Sequence, residues 1–126
     1  MPVLIALSFC LTACTTGGIL REKHERGFTV AYDGGFWEIA PLSDGFVFKE
    51  KRTYRSTRAV TVTLAGEGEL ETSIQSNQGP AGQMHSIHAG KRCPNGVILL
   101  NASYQSENPP DFRRELQLLE RADCPD

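Results

Sequence analysis

Gly79-Pro80-Ala81-Gly82-Gln83-Met84-His85-Ser86-Ile87-His88-Ala89-Gly90-Lys91-Arg92-Cys93 is the stretch on which the fold class turns. Proline is well placed at a first helical position, where its missing N–H needs no partner. Ala81, Met84, Ile87 and His88 recur at helical spacing. Lys91 and Arg92 sit where cations favour a carboxyl end. Cys93-Pro94-Asn95-Gly96 then supplies a stop. The spacing predicts one helix near residues 80–91.

The rest reads as strand. Phe28, Val30 and Tyr32 alternate with Thr29, Ala31 and Asp33, the period of a half-buried strand. Gly34-Gly35 suits a tight turn. A hairpin over Gly27–Ile39 sets Tyr32 opposite Trp37 and Val30 opposite Ile39, with both apolar sets on one buried face. Leu42-Ser43-Asp44-Gly45 is a second turn, leading to Phe46 and Phe48 at strand spacing. Thr57–Leu64 and Glu69–Gln75 pair in a further expected hairpin across Gly66-Glu67-Gly68. Val97–Leu100, extended by Ala102 and Tyr104, is a well-buried strand. The final segment carries two patterns. Leu116 and Leu118 alternate like a strand, and Phe112, Leu116 and Leu119 share a helical face. The strand reading pairs it with Val97–Tyr104, leaving Asn108-Pro109-Pro110 in the loop. Arg21–Arg26 reads as a charged connector, at most one helical turn. The expected class is α+β: an antiparallel β-meander of about six or seven strands with one helix and one disulfide.

Length and charge bound the function. The chain has 126 residues, 40% hydrophobic and 22% charged, with a formal net charge of −2. That suits one modest domain and gives no basic excess for nucleic acid. No apolar stretch reaches the roughly 18 to 20 residues of a membrane-spanning helix.

The longest apolar run is Pro2–Ala13, the length of a secretory signal's hydrophobic part. Leu11-Thr12-Ala13-Cys14, which closes it, resembles the bacterial lipobox. That resemblance implies cleavage before Cys14 and a diacylglyceryl group on its thiol, which holds the protein to a membrane. Residues 1–13 are then a lipoprotein signal peptide, 14–26 the lipidated cysteine and a flexible tether, and 27–126 the globular domain. In a Gram-negative cell, Thr15 rather than Asp after the cysteine resembles outer-membrane sorting, with the domain facing the periplasm. The other reading of Pro2–Ala13 is a buried strand of a cytosolic protein.

Cysteine usage fits export. With Cys10 in the leader and Cys14 lipidated, Cys93 and Cys124 remain, and two thiols in an oxidising compartment have one pairing. Closing a loop of about 31 residues contributes roughly 3 to 4 kcal/mol. The plainer alternative is two unrelated buried thiols.

Three groups of residues invite chemistry. His85 and His88, three apart on a helix, share a face. With Met84 and Cys93 they offer zinc or copper ligands, though the spacing matches no zinc motif. Lys49, Lys51, Arg52, Arg55 and Arg58 form a basic run suited to anionic polymers or lipid head groups. The same charges also serve to blunt a sheet edge. No catalytic motif occurs, and a pair such as Ser86 with His85 or His88 is not singled out. No catalytic residue and no cofactor is assigned, and the chain is read as a non-enzyme.

The expected function is therefore a lipid-anchored cell-envelope protein with a non-catalytic binding or structural role. One alternative is an inhibitor of a periplasmic enzyme. The lysozyme inhibitors are similar in class: small, exported, β-rich and disulfide-stapled. Such an inhibitor needs a protruding loop, and Ser76–Gly79 or Ser106–Asp111 suits. The other alternative is an envelope metal-binding protein using His85 and His88. Expected partners are the membrane, through the lipid, and an envelope protein.

Overall fold

The computed structural model describes residues 18–51, 58–80 and 82–126. Cys10, Cys14, Arg52 and Arg55 lie outside those residues, and with them the lipobox and part of the basic run. The described residues hold eight strands and one helix: β1 (Ile19–Lys23), β2 (Thr29–Asp33), β3 (Trp37–Leu42), β4 (Gly45–Glu50), β5 (Ala59–Ala65), β6 (Ser73–Gly79), β7 (Gly82–Cys93), β8 (Gly96–Gln105) and α1 (Arg113–Glu120). β1 and β2 make a small sheet, and the other six lie in the order β3-β4-β5-β8-β7-β6. All pairings are antiparallel. The expected class holds: α+β, mostly antiparallel, with one helix and one disulfide. No helix among the described residues is long and apolar enough to cross a membrane.

The register aligns side chains into transverse rows on the sheet's inner face. One row runs Ile39, Phe48, Val60, Ala102, Ile87 and Ile74. The next runs Pro41, Phe46, Val62, Leu100 and Ala89. β2 covers the β4 side, where the Tyr32 ring meets Phe48 at 5.5 Å and Phe28 meets Phe46 at 5.8 Å. Leu118 and Leu119 of α1 cover the rest, buried over β8, β7 and β5. Trp37 and Val30 are buried, as their strand patterns require. Gly45 has no room for a side chain: a Cβ there would stand 2.0 Å from the Val62 carbonyl oxygen.

The helix expected near residues 80–91 is instead strand β7. Its inner positions are His85, Ile87 and Ala89, with period two. His85 disguised that alternation by putting a polar residue at a core position. Two glycines, Gly82 and Gly90, weaken a helix there, and pairing on both sides with β6 and β8 outweighs local spacing. Gly79 and Gly82 pair across a tight turn, with Gly82 at φ 121°.

The helix lies in the final segment, which the strand reading had paired with Val97–Tyr104. Phe112, Glu115, Leu118, Leu119 and Ala122 are its buried positions. Lys91 caps its carboxyl end by donating to the Glu120 carbonyl at 3.3 Å and to that of Ala122. The cation does favour a helix terminus, but that of α1 rather than of its own segment.

Two hairpins also differ. The Gly34-Gly35 turn forms, with Phe36 N–H donating to Asp33 O at 3.1 Å. It joins two sheets, since β2 pairs with β1 and Trp37 faces Glu50 of β4. The stretch Arg21–Arg26, expected as a connector, begins inside β1. Likewise β5 and β6 are not partners: β5 lies between β4 and β8, and β6 pairs only with β7. Apart from Ile74, β6 is polar on both faces, which specifies register weakly. The Leu42–Gly45 turn stands as expected.

Cys93 and Cys124 are joined, with Cα atoms 5.6 Å apart. The bond ties the β7–β8 turn to the tail after α1. That tail also bridges β2 through Thr29 and Asp123.

Candidate functional site

Above the two apolar rows, the inner face ends in a row of another kind. Trp37 stands opposite Glu50, Glu50 N–H bonds the Arg58 carbonyl at 3.4 Å, and the Arg58 guanidinium lies 4.0 Å over the Tyr104 ring. Tyr104 stands opposite His85, and His85 opposite Ser76. One transverse row thus gathers a carboxylate, a guanidinium, a phenol, an imidazole and a hydroxyl.

Glu115 of α1 points into this row. It is fully buried, with Oε2 3.2 Å from Arg58 Nε. Neither carboxylate oxygen accepts a hydrogen bond from the described residues. Burial therefore pushes the Glu115 pKa above the ordinary glutamate value, against the opposing pull of Arg58. Arg58 is also fixed by donating to the Asp111 carbonyl at 3.1 Å. Tyr104 Oη accepts from Asp111 N–H at 2.7 Å, which seats the segment leading into the helix.

His85 is wholly buried in the same row. Its Nε2 faces the carbonyls of Asn108 at 2.9 Å and Ser106 at 3.2 Å, so the proton sits on Nε2. Nδ1 then accepts from the Ser76 hydroxyl at 2.7 Å. A serine hydroxyl on a histidine is the contact that activates nucleophiles in hydrolases. Here it also completes the hydrogen bonding of a buried ring, and neither residue lines the concavity described below.

Beside this row, and sharing Arg58 with it, Arg58, Asp111, Arg113, Arg114 and Gln117 line a concavity of about 370 Å³. Arg113 grips Asp111 through two nitrogens, at 2.8 and 3.0 Å. Those bonds hold the Asp111 carboxyl down at about 2. Arg114 stacks 4.0 Å over Phe36. Three arginines thus line one hollow, Arg58 paired with the buried Glu115, Arg113 with Asp111, and Arg114 stacked on a ring.

The basic run divides on folding. Lys49 stands across the ladder from Glu38 and is exposed. Lys51 donates to the Gly34 carbonyl at 2.7 Å. Only Arg58 of that run, among the described residues, reaches the concavity. Its companions Arg113 and Arg114 escaped notice, because no basic run marks them. Glu115 did leave a signal: a charged residue on the helical face of Phe112 and Leu119.

The two candidate metal ligands are parted. On a strand, residues three apart face opposite ways. His85 points into the core, while His88 on the outer face meets Asn101 Oδ1 and the Glu69 carbonyl, each at 2.9 Å. Those acceptors, Asn101 first, raise the His88 pKa above the usual imidazole value. Cys93 is held in the disulfide. No cluster of three His, Cys, Asp or Glu side chains able to hold a metal occurs among the described residues. Nor are the two candidate inhibitory stretches free loops. Ser76–Gly79 is half of β6, and Ser106–Asp111 is bound by His85, Tyr104 and Arg58.

No protein-family model matches the chain, and no curated protein matches it in sequence.

Proposed function

We propose that this protein is a lipid-anchored binding module of the cell envelope that takes an anionic group in its arginine-lined concavity, without catalysis. The observation that carries the reading is the meeting of Arg58, Arg113 and Arg114 around one hollow with a single carboxylate in its lining. Guanidiniums bind phosphate and carboxylate through paired N–H donors, and Arg is less tightly hydrated than Lys. The buried Glu115 and the Tyr104 ring fix Arg58 in place, so the hollow is preorganised. Leu11-Thr12-Ala13-Cys14 supplies the anchor in this reading, and the Cys93–Cys124 bond suits an oxidising compartment.

The anchor and the hollow are tested separately. Cys14→Ser removes the lipid site, so labelling by a fatty-acid probe and membrane fractionation should both be lost. The same unlipidated protein is then mixed with vesicles of phosphatidylcholine alone, with vesicles containing phosphatidylglycerol, and with soluble polyphosphate. Binding to one or both anionic probes should weaken with salt and fall about tenfold in an Arg113→Ala, Arg114→Ala variant. Equal binding by that variant would remove the hollow from the account.

A further inference from the structure

We propose that β6 is the seam of a symmetric dimer, in which two copies of this chain pair their β6 strands antiparallel about a two-fold axis at Ser76. The two edges of the six-stranded sheet differ. β3 carries Glu38 and Pro41, both of which discourage edge pairing. β6, Ser73-Ile74-Gln75-Ser76-Asn77-Gln78-Gly79, has no charge and no proline, and all but Gly79 are exposed. From Thr72 to Gly90 the chain has no Asp, Glu, Lys or Arg.

The outward-facing groups follow from two hydrogen bonds. Gly90 N–H donates to Leu70 O at 3.3 Å, on the β6 side of β7. Ser106 N–H donates to Gln83 O at 3.0 Å, on the β8 side. Backbone direction alternates along a strand, so His88, Ser86, Met84 and Gly82 bond toward β6. Their partners Ser73, Gln75, Asn77 and Gly79 therefore face β7. Ile74, Ser76 and Gln78 direct their N–H and C=O groups away from the sheet, with no backbone partner among the described residues.

Those groups are self-complementary in one register. Placing Ser76 against its copy sets Ile74 against Gln78 of the second chain, and Gln78 against its Ile74. Every outward N–H and C=O of the three residues then finds a partner. A shift by two residues leaves some unpaired, and a shift by one opposes outward to inward groups. With no charge on the strand, two copies meet without repulsion. A pair of seven-residue strands buries less than the roughly 1,200 Å² of a stable soluble complex. The pairing is accordingly weak in dilute solution and favoured where chains are held side by side.

In this register Gln75 faces Asn77 of the second copy as a non-hydrogen-bonded pair, with Cα atoms about 4.5 Å apart, close enough for a disulfide. Full-length chains carrying Gln75→Cys and Asn77→Cys are co-expressed and whole cells are run on a non-reducing gel. The mixture should give a covalent dimer at least tenfold above either variant alone and above the parent chain. Adding Ile74→Lys and Gln78→Lys opposes like charges across the seam and should cut that yield at least tenfold, with the circular dichroism of the fold unchanged. No dimer in the mixture, equal dimer from single variants, adducts to another protein instead, or a yield indifferent to the lysines would each overturn the proposal.

Discussion

The inner face of the large sheet is closed in two ways. On the β3–β4 side the cover comes from nearby in sequence: Phe28 and Tyr32 lie on Phe46 and Phe48, with Trp37 at 6.2 Å from Phe48. On the β8–β7 side it comes from far away, as α1, the Arg58–Glu115 pair and the Cys93–Cys124 bond. The first half is a packed aromatic cluster. The second is thinner, leaves β6 uncovered with Ile74 49% exposed, and depends on a staple. Local chain can close a core with rings alone, whereas a cover brought from a distance must also offset loop entropy.

The largest expected effect tests the aromatic half. Phe48→Ala should cost about 3 to 5 kcal/mol in denaturant unfolding, as truncation of a fully buried ring does. Ile74→Ala, in the same row but on uncovered β6, should stay within about 0.5 kcal/mol. Equal costs would break the contrast.

Next comes the staple. Replacing Cys93 and Cys124 together with Ala should cost about 3 to 4 kcal/mol by loop entropy. Hydrogen exchange should rise first at the β7–β8 turn and in α1, with the aromatic half still protected. Uniform loss of protection would mean that the two halves open as one.

The smallest effect concerns pH. The Glu115 pKa is raised by folding, so the folded state holds its proton more tightly than the unfolded chain. Stability from this group is full below the ordinary glutamate value of 4.5 and declines as pH climbs from there through the raised folded value. Glu115→Gln should flatten that decline. A wild-type stability that rises over the same window would reverse the assignment.

The same division explains what could be read from sequence. The Leu42–Gly45 turn, the buried Trp37, the strand spacing of Phe46 and Phe48, and the Cys93–Cys124 pairing were legible, because turn chemistry, alternation and cysteine counting act locally or by elimination. β7 was not: His85 interrupts its alternation, and the Ser106 and Asn108 carbonyls that satisfy the ring lie some twenty residues on. α1 stood as only one of two patterns for a parallel reason. Glu115 sits on its apolar face, and only the folded chain shows Arg58 waiting opposite. Of the concavity, Arg58 was found through its basic run, while Arg113 and Arg114 gained meaning only from the helix that presents them.

The strand bridge from Thr29 to Asp123 has a consequence for how the chain is born. β2 lies between β1 on one side and Asp123 on the other, and Thr29 and Asp123 exchange hydrogen bonds at 2.8 and 3.0 Å. A segment made early thus waits for one made nearly a hundred residues later. Until Asp123 and Cys124 emerge from the ribosome, the small sheet lacks its second neighbour and the helix its tether. Contacts of such long sequence separation form slowly, so this edge of β2 and the carboxyl end of α1 close after the sheets that they join.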